Sequence, residues 1–556
     1  MNPLTLPVDP FGITNSFLTI NSSWMLNGLE FTSTLSKLAS DLQSAGTEGF
    51  TPFWTDGASK GPPDDPEAAI LAMVRNYSQL LQKIHSAYGN WLKDYVDKAQ
   101  DVPNEEKQCS KFWVNQILNS ISPSNFFWTN PSVMQKFLRS KGKSAIKGYE
   151  NWLEDVQCGD SLVRIADTKA FKVGENLATT PGFVVFRNRL MELIQYSPRT
   201  ETTHRIPIVF IQPWINKFYI FDLGEDKSFV SYLVNQGFTV FITSWKNPSS
   251  EMRNVTFENY MIRGALKAVE VAREICNVEQ VHAAGYCIGG TVLSALMAWL
   301  NRAPDRTSPI PIRDFTLFAS LVDYSSPGEL GVYISENSIR MIEQLMQKDG
   351  YLDEKYMTAA FRLLRSNDLI WRYYIHNYLQ GELPPKSDFL YWNSDSTRLT
   401  QAMCSFYLRE FYLKNKLVEE DGTELAGRPI DLRRIEQPLY VVGAEQDHIC
   451  PWQETFKISN LVKGPVRFTL SAEGHITGIV NPPSTRARKK YWTNDITEPV
   501  EADEWHLNQQ QDSGSWWLDW VRWLTQGSDP MCAPPPMGSK KYRPLEKAPG
   551  SYVMGP

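Results

Sequence analysis

The residue types most able to do chemistry stand together in Gly285-Tyr286-Cys287-Ile288-Gly289-Gly290. This stretch ends an apolar, β-rich run at 281–285 and opens a helical pattern near Thr291. The spacing is that of G-x-S-x-G, in which a nucleophile sits on a sharp strand-to-helix turn, here with cysteine in place of serine. The glycines leave room for strand and helix to approach. The backbone N–H of Ile288 then faces the site as half of an oxyanion hole. The helix N-terminus lowers the thiol pKa and favours the thiolate, which is the attacking form. A glycine-rich turn around an inert buried thiol has the same spelling, so the reading depends on partners.

Two such partners follow in the chain. Asp447 comes just past the apolar run 439–443, and His475 follows the run 466–470 in Glu473-Gly474-His475. Nucleophile, acid, histidine is the triad order of the α/β-hydrolase fold. In that arrangement His475 takes the thiol proton, while Asp447 holds the imidazole in the right tautomer and stabilises its cation. Acyl transfer through a cysteine thioester is the chemistry this predicts. His448, the rival histidine, adjoins the acid and is expected to support it. Structural roles are expected for His85, His204, His282, His376 and His506, and inert thiols at Cys109, Cys158, Cys276, Cys404, Cys450 and Cys532. The second oxyanion N–H is expected from the loop after the run 206–212, at Trp214 or Ile215 of Pro213-Trp214-Ile215-Asn216-Lys217.

The elements that must position these residues alternate from residue 205 onward. Apolar runs at 206–212, 238–245, 281–285, 315–321, 439–443 and 466–470 are separated by helical stretches such as 260–275 and 291–300, which implies a mostly parallel sheet covered on both faces. Over a hundred residues, with helical patterns at 334–347 and 356–379, intervene between the strands near 320 and 440. They read as a cap insertion over the carboxyl edge of the sheet, at about 324–435. The fold class is therefore α/β: a catalytic domain over 201–556, preceded by a mostly helical domain over 1–200. Helical patterns at 68–100, 107–121 and 132–156 mark the latter, and the Gly-, Pro- and Asp-rich stretch 45–67 reads as a mobile linker. Trp516, Trp520 and Trp523 share a helical stripe that reads as a packing face.

Composition excludes other classes. A net charge of -6, with 56 basic and 62 acidic residues interspersed, leaves no footprint for nucleic acid. The N-terminus lacks the basic and apolar regions of a signal peptide, and no uncharged apolar run approaches the ~18 residues of a membrane span. Seven cysteines without paired spacing argue against a disulfide framework and a structural metal, and fit a reducing cytoplasm. Without a Walker loop, HExxH or dinucleotide fingerprint, no cofactor and no metal are expected.

At these residues the sequence resembles the class I, single-subunit polyhydroxyalkanoate synthases over roughly residues 110–555. Besides the Cys287 elbow, Asp447-His448-Ile449 and Gly474-His475, the resemblance rests on Ser122-Pro123-Ser124-Asn125-Phe126, Asn176 to Gly182, Glu192 to Tyr196, Pro327-Gly328-Glu329-Leu330-Gly331, Tyr391 to Thr397, Gly514-Ser515-Trp516-Trp517 and Ala548 to Tyr552. It implies polymerisation of (R)-3-hydroxyacyl-coenzyme A, first of all 3-hydroxybutyryl-coenzyme A, into polyester, with coenzyme A as leaving group. It also implies a homodimer, a mobile cap and residence on cytoplasmic polyester granules. Gln212 stands where the family usually has proline, and Glu445, Gln446 and Glu473 depart from the commoner forms. The alternative reading is a cysteine-elbow thioesterase or ester hydrolase, with water as acceptor. A granule-coat protein would not need the nucleophile.

Overall fold

The computed structural model describes residues 13–49, 65–158, 162–302, 309–483, 489–526 and 530–555. The chain divides into two compact units. One comprises residues 168–357 and 388–556, the other residues 1–167 and 358–387.

The first unit is built on an eleven-stranded sheet. It opens with an antiparallel hairpin, β1 (Gly182–Arg187) and β2 (Met191–Tyr196). The expected apolar runs then become β3 (Ile208–Ile211), β4 (Val240–Trp245), β5 (Val281–Tyr286), β6 (Ile312–Phe318), β7 (Leu439–Ala444) and β8 (Val466–Ser471). β9 (Lys490–Ile496), β10 (Gln511–Ser513) and β11 (Glu546–Lys547) complete it. The spatial order is β10-β9-β8-β7-β6-β5-β3-β4-β2-β1-β11, and the six strands β3 to β8 pair in parallel. These six read as near-continuous hydrophobic runs because both faces are covered. Successive side chains feed opposite cores: Val209 and Ile211 enter one, Ile208 and Phe210 the other.

The sheet begins at Gly182, ahead of the expected boundary at residue 201. β2 is hard to see in the sequence because its buried run contains Glu192 and Gln195. Both bond the chain's own C-terminal tail, and Glu192 also accepts from Arg187 Nε at 2.7 Å. Glu192 accepts from Ser551 Oγ at 2.9 Å and Tyr552 N at 3.0 Å, while Gln195 exchanges hydrogen bonds with Pro536 O and Gly538 N. Of the insertion expected at 324–435, residues 324–357 and 388–435 belong to this unit, and 358–387 to the other.

The second unit is helical: α1 (Ile13–Leu26), α2 (Gly28–Gly49), α3 (Pro66–Asp97), α4 (Asn104–Ser120), α5 (Pro131–Arg139) and α6 (Lys143–Gln157). The pattern at 132–156 is two helices, because Gly142 turns the chain with φ 84°. The linker expected at 45–67 lies mostly outside the described residues; its flanks, 45–49 and 66–67, are helical. Residues 358–387 pack into this unit through Arg362 to Val163 O and Asn151 to Asn377 O and Glu382 O. Among the described residues no helix is long and apolar enough to cross a membrane.

Candidate active site

β5 ends at Tyr286, and the helix α7 (Ile288–Asn301) begins two residues later. Between them Cys287 adopts φ 52° and ψ -126°. A side-chain-bearing residue there costs on the order of 1–3 kcal/mol and persists only where neighbours over-determine it. Here the Cys287 N–H donates to Phe318 O on β6 at 2.9 Å, and its carbonyl accepts from Gly290 N at 2.9 Å. A Cβ on Gly285 would lie 2.5 Å from Gly290 Cα, and one on Gly289 would collide with Ile211 O. The second approach brings the chain after β3 beside the elbow.

The loops after β7 and β8 carry Asp447 and His475. His475 Nδ1 and Asp447 Oδ2 are 2.6 Å apart, and the Asp447 side chain has no solvent exposure. The other carboxylate oxygen, Oδ1, accepts from Ile449 N and Cys450 N, each at 2.8 Å. Nδ1 being committed to Asp447, Nε2 is the nitrogen left for the sulfur. The Tyr286 hydroxyl donates to His475 O at 3.2 Å, so the residue before Cys287 also braces His475.

The electrostatics follow from these contacts. The Cys287 thiol is pushed down to about 5: a hydrogen bond with Cys450 is the largest cause, burial opposes it, and His475 and the Ile288 N–H add to it. His475 is pushed up to about 10; burial works against its cation, but Asp447 and Cys287 outweigh that cost. At neutral pH these directions describe a thiolate beside an imidazolium. Burial holds the phenols of Tyr324, Tyr407 and Tyr412 above their ordinary value, with neighbouring phenols or Cys450 and then the Cys287 charge as smaller raising influences. Tyr324 and Tyr407 hydroxyls lie 3.1 Å apart, and Thr291 on α7 reaches the Tyr324 hydroxyl at 3.2 Å. The cap segments thus present a cluster of neutral phenols close to the thiolate.

Residues 73–233 match the family model for the N-terminus of poly-beta-hydroxybutyrate polymerase, and residues 207–482 match the alpha/beta hydrolase fold. The poly(3-hydroxyalkanoate) polymerase of Methylorubrum extorquens is 36% identical over 503 residues, covering 90% of this chain and 82% of the relative. The chain belongs to the poly(3-hydroxyalkanoate) polymerase family. Polymerase subunits of Rhizobium meliloti, 36% identical over 88% of this chain and 79% of the relative, and of Cupriavidus necator, 36% over 82% and 77%, stand beside it. The fold is that of the α/β hydrolases.

In this family member the other expected residues take the following places. Trp214 is buried, stacked on Tyr260 at 4.1 Å, and its carbonyl accepts from Thr397 Oγ1 at 2.7 Å; the Ile215 carbonyl accepts from Thr397 N. His448 is half-buried directly after Asp447. His282 bonds Asp314 at 2.8 Å, His204 stacks on Phe238, His506 lies edge-on to Trp492, and His85 and His376 bond Leu118 O and Asn377. Sequence reasoning missed two groups. Cys450, placed among the inert thiols, converges on Cys287 and His475. Trp516, placed on a packing face, and its neighbour Trp517 also donate their indole N–H groups to Gly478 O and Ile479 O, in the loop that carries His475. The buried Tyr440–Asp519–Arg467 bonds tie the same helix, α8 (Trp517–Thr525), to β7 and β8.

Proposed function

We propose that this protein polymerises (R)-3-hydroxyacyl-coenzyme A, with 3-hydroxybutyryl-coenzyme A as the first monomer, into polyester through a thioester on Cys287. The observation that carries this reading is the buried Asp447–His475 pair beside a thiol on a strained elbow, in a chain of this family. A thiolate exchanges readily with a thioester because bond broken and bond formed are alike, which suits cysteine to holding a chain that must move on and off the enzyme.

The cycle conserves protons. Cys287 sulfur attacks the substrate carbonyl, whose developing oxyanion is met by the Ile288 N–H and by Trp214 or Ile215 N–H. The coenzyme A thiolate leaves with the proton held on His475 Nε2, and the imidazole is left neutral. Acylation also removes the Cys287 charge, one of the influences that hold His475 protonated. His475 is then the base that takes the 3-hydroxyl proton of the next monomer, with Asp447 stabilising the cation that results. The hydroxyl oxygen attacks the Cys287 thioester, the elongated chain leaves on the monomer's coenzyme A, and the thiolate–imidazolium pair returns for the next transfer. No cofactor enters these steps. Assembly as a homodimer and residence on cytoplasmic polyester granules belong to the same proposal.

The test is coenzyme A release from (R)-3-hydroxybutyryl-coenzyme A by wild type and Cys287→Ala, with insoluble product weighed. Release with turbid polymer, both lost in the variant, is the expected result. Release with soluble 3-hydroxybutyrate alone would make water the acceptor and the enzyme a thioesterase.

A further inference from the structure

The mechanism above uses one thiol, yet the site contains two. Cys450 stands three residues past Asp447, is 4% exposed, and has its amide tied to the same carboxylate that orients His475. The ligand atoms of Cys287, Cys450 and His475 all lie within 4.8 Å of one another. A tetrahedral cation with sulfur at ~2.3 Å and nitrogen at ~2.0 Å needs its ligand atoms about 3.5–3.8 Å apart. The remaining difference is about 1 Å or less and would have to be closed by side-chain rotation.

We propose that Cys287, Cys450 and His475 Nε2 form a three-ligand site for a thiophilic divalent cation, zinc foremost, and that its occupation switches off acyl transfer. Three features favour it. First, Nδ1 of His475 is committed to Asp447, the carboxylate–histidine arrangement that fixes a metal-binding tautomer and aims the other nitrogen at the ion. Second, two thiolates neutralise a divalent charge, so the occupied site carries no net charge into a buried position. Third, sulfur and imidazole donors suit zinc, and the set offers none of the oxygen ligands that magnesium and calcium require. No redox change is involved. As the cation binds, the proton on His475 and the proton on Cys450 leave to solvent, and the fourth position stays open to water. The Cys287 lone pair and Nε2 are then both committed, so neither attack nor proton transfer proceeds. An acyl group on Cys287 removes one ligand, so acyl loading and metal binding exclude each other.

The experiment uses the full chain and cobalt(II) as probe, read by its thiolate-to-metal charge-transfer band in the near ultraviolet. Subtracting the spectrum of Cys287→Ala isolates this site from the remaining thiols. Wild type is expected to show one equivalent of site-specific cobalt, displaced by zinc. Cys450→Val and Cys450→Ser, with circular dichroism verifying their fold, are expected to bind at least about tenfold more weakly, because a ligand and not merely volume is lost. Zinc inhibition of coenzyme A release is expected to be reversed by a chelator and to shift by the same factor in both variants. Cobalt binding that is identical in wild type and Cys287→Ala would overturn the proposal, as would a band and midpoint unchanged by both Cys450 substitutions. The binding readout needs no turnover, so it stands apart from the identity of the acyl acceptor.

Discussion

Asp447 does two jobs with two oxygens. Oδ2 orients His475, and Oδ1 gathers the N–H groups of Ile449 and Cys450. An asparagine at this position can keep one set of contacts but must offer an amide N–H or a neutral oxygen to the imidazole. It would favour the wrong tautomer and leave the imidazolium without its counter-charge. Asp447→Asn is therefore expected to lower kcat for coenzyme A release by about 10³–10⁴ with little loss of stability, by analogy with acid substitutions in hydrolase triads. A loss below tenfold in steady-state assays would mean that His475 is oriented by something else.

The proposed triad depends on two elements beyond its own loops. At the elbow, α7 passes so close to the end of β3 that Gly289 has no room for a Cβ against Ile211 O. Backbone cannot yield as a flexible side chain can, so Gly289→Ala is expected to lower thermal stability by on the order of 1–3 kcal/mol and to abolish turnover, measured by melting and by coenzyme A release. At the far end of the chain, Trp517 donates to Ile479 O and stacks on Phe229 at 4.1 Å. Trp517→Phe keeps most of the packing and removes the donor. It is expected to cost about 1–2 kcal/mol and to loosen the His475 loop, so that kcat falls while the melting transition remains cooperative. An unchanged kcat would mean that packing alone holds the loop. These elements also show what the sequence made legible. β3 to β8 are readable because burial on both faces leaves mostly apolar runs, and the proposed triad residues are readable as candidates because chain order maps onto strand ends. β2 is hidden by Glu192 and Gln195: Gln195 finds its partners over three hundred residues away, and Glu192 is shared between Arg187 on the same hairpin and the C-terminal tail. The tryptophan donors are hidden because their acceptors are backbone carbonyls, and the place of Cys450 because it is set by a turn around Asp447 that no spacing rule encodes.

At the scale of the whole molecule, two predictions concern how separated segments hold together. In the sheet unit, Asp222 is buried and accepts from Ser228 Oγ at 2.6 Å and from Thr180 N at 3.3 Å. Burial pushes its carboxyl up to about 6 despite those bonds. A folded-state value raised above the unfolded one means that its stabilising contribution is complete below about pH 4 and is lost as pH rises through about 6. Across that window the contribution should fall by on the order of 3 kcal/mol, and Asp222→Asn should remove that slope from the denaturant midpoint measured against pH. In the helical unit, α6 buries Gly148, Asn151 and Asp155 against residues 358–387. Gly148 has no room for a Cβ against Tyr378 O, Asn151 donates to Asn377 O, and Asp155 accepts from the Tyr378 hydroxyl at 2.7 Å. A fragment ending at Asp167 keeps all six helices in sequence, and Asp155 keeps its ion pair with Arg164, but Asn151 loses both carbonyl acceptors, Asp155 loses the Tyr378 hydroxyl, and the side of α6 that packs on residues 375–379 is uncovered. It is expected to be helical yet to melt without cooperativity and to bind a hydrophobic dye. Joining residues 358–387 to it through a flexible linker should restore a single transition. Cooperative melting of residues 1–167 alone would show instead that the N-terminal helices form a self-sufficient domain, with the cap segment an added decoration.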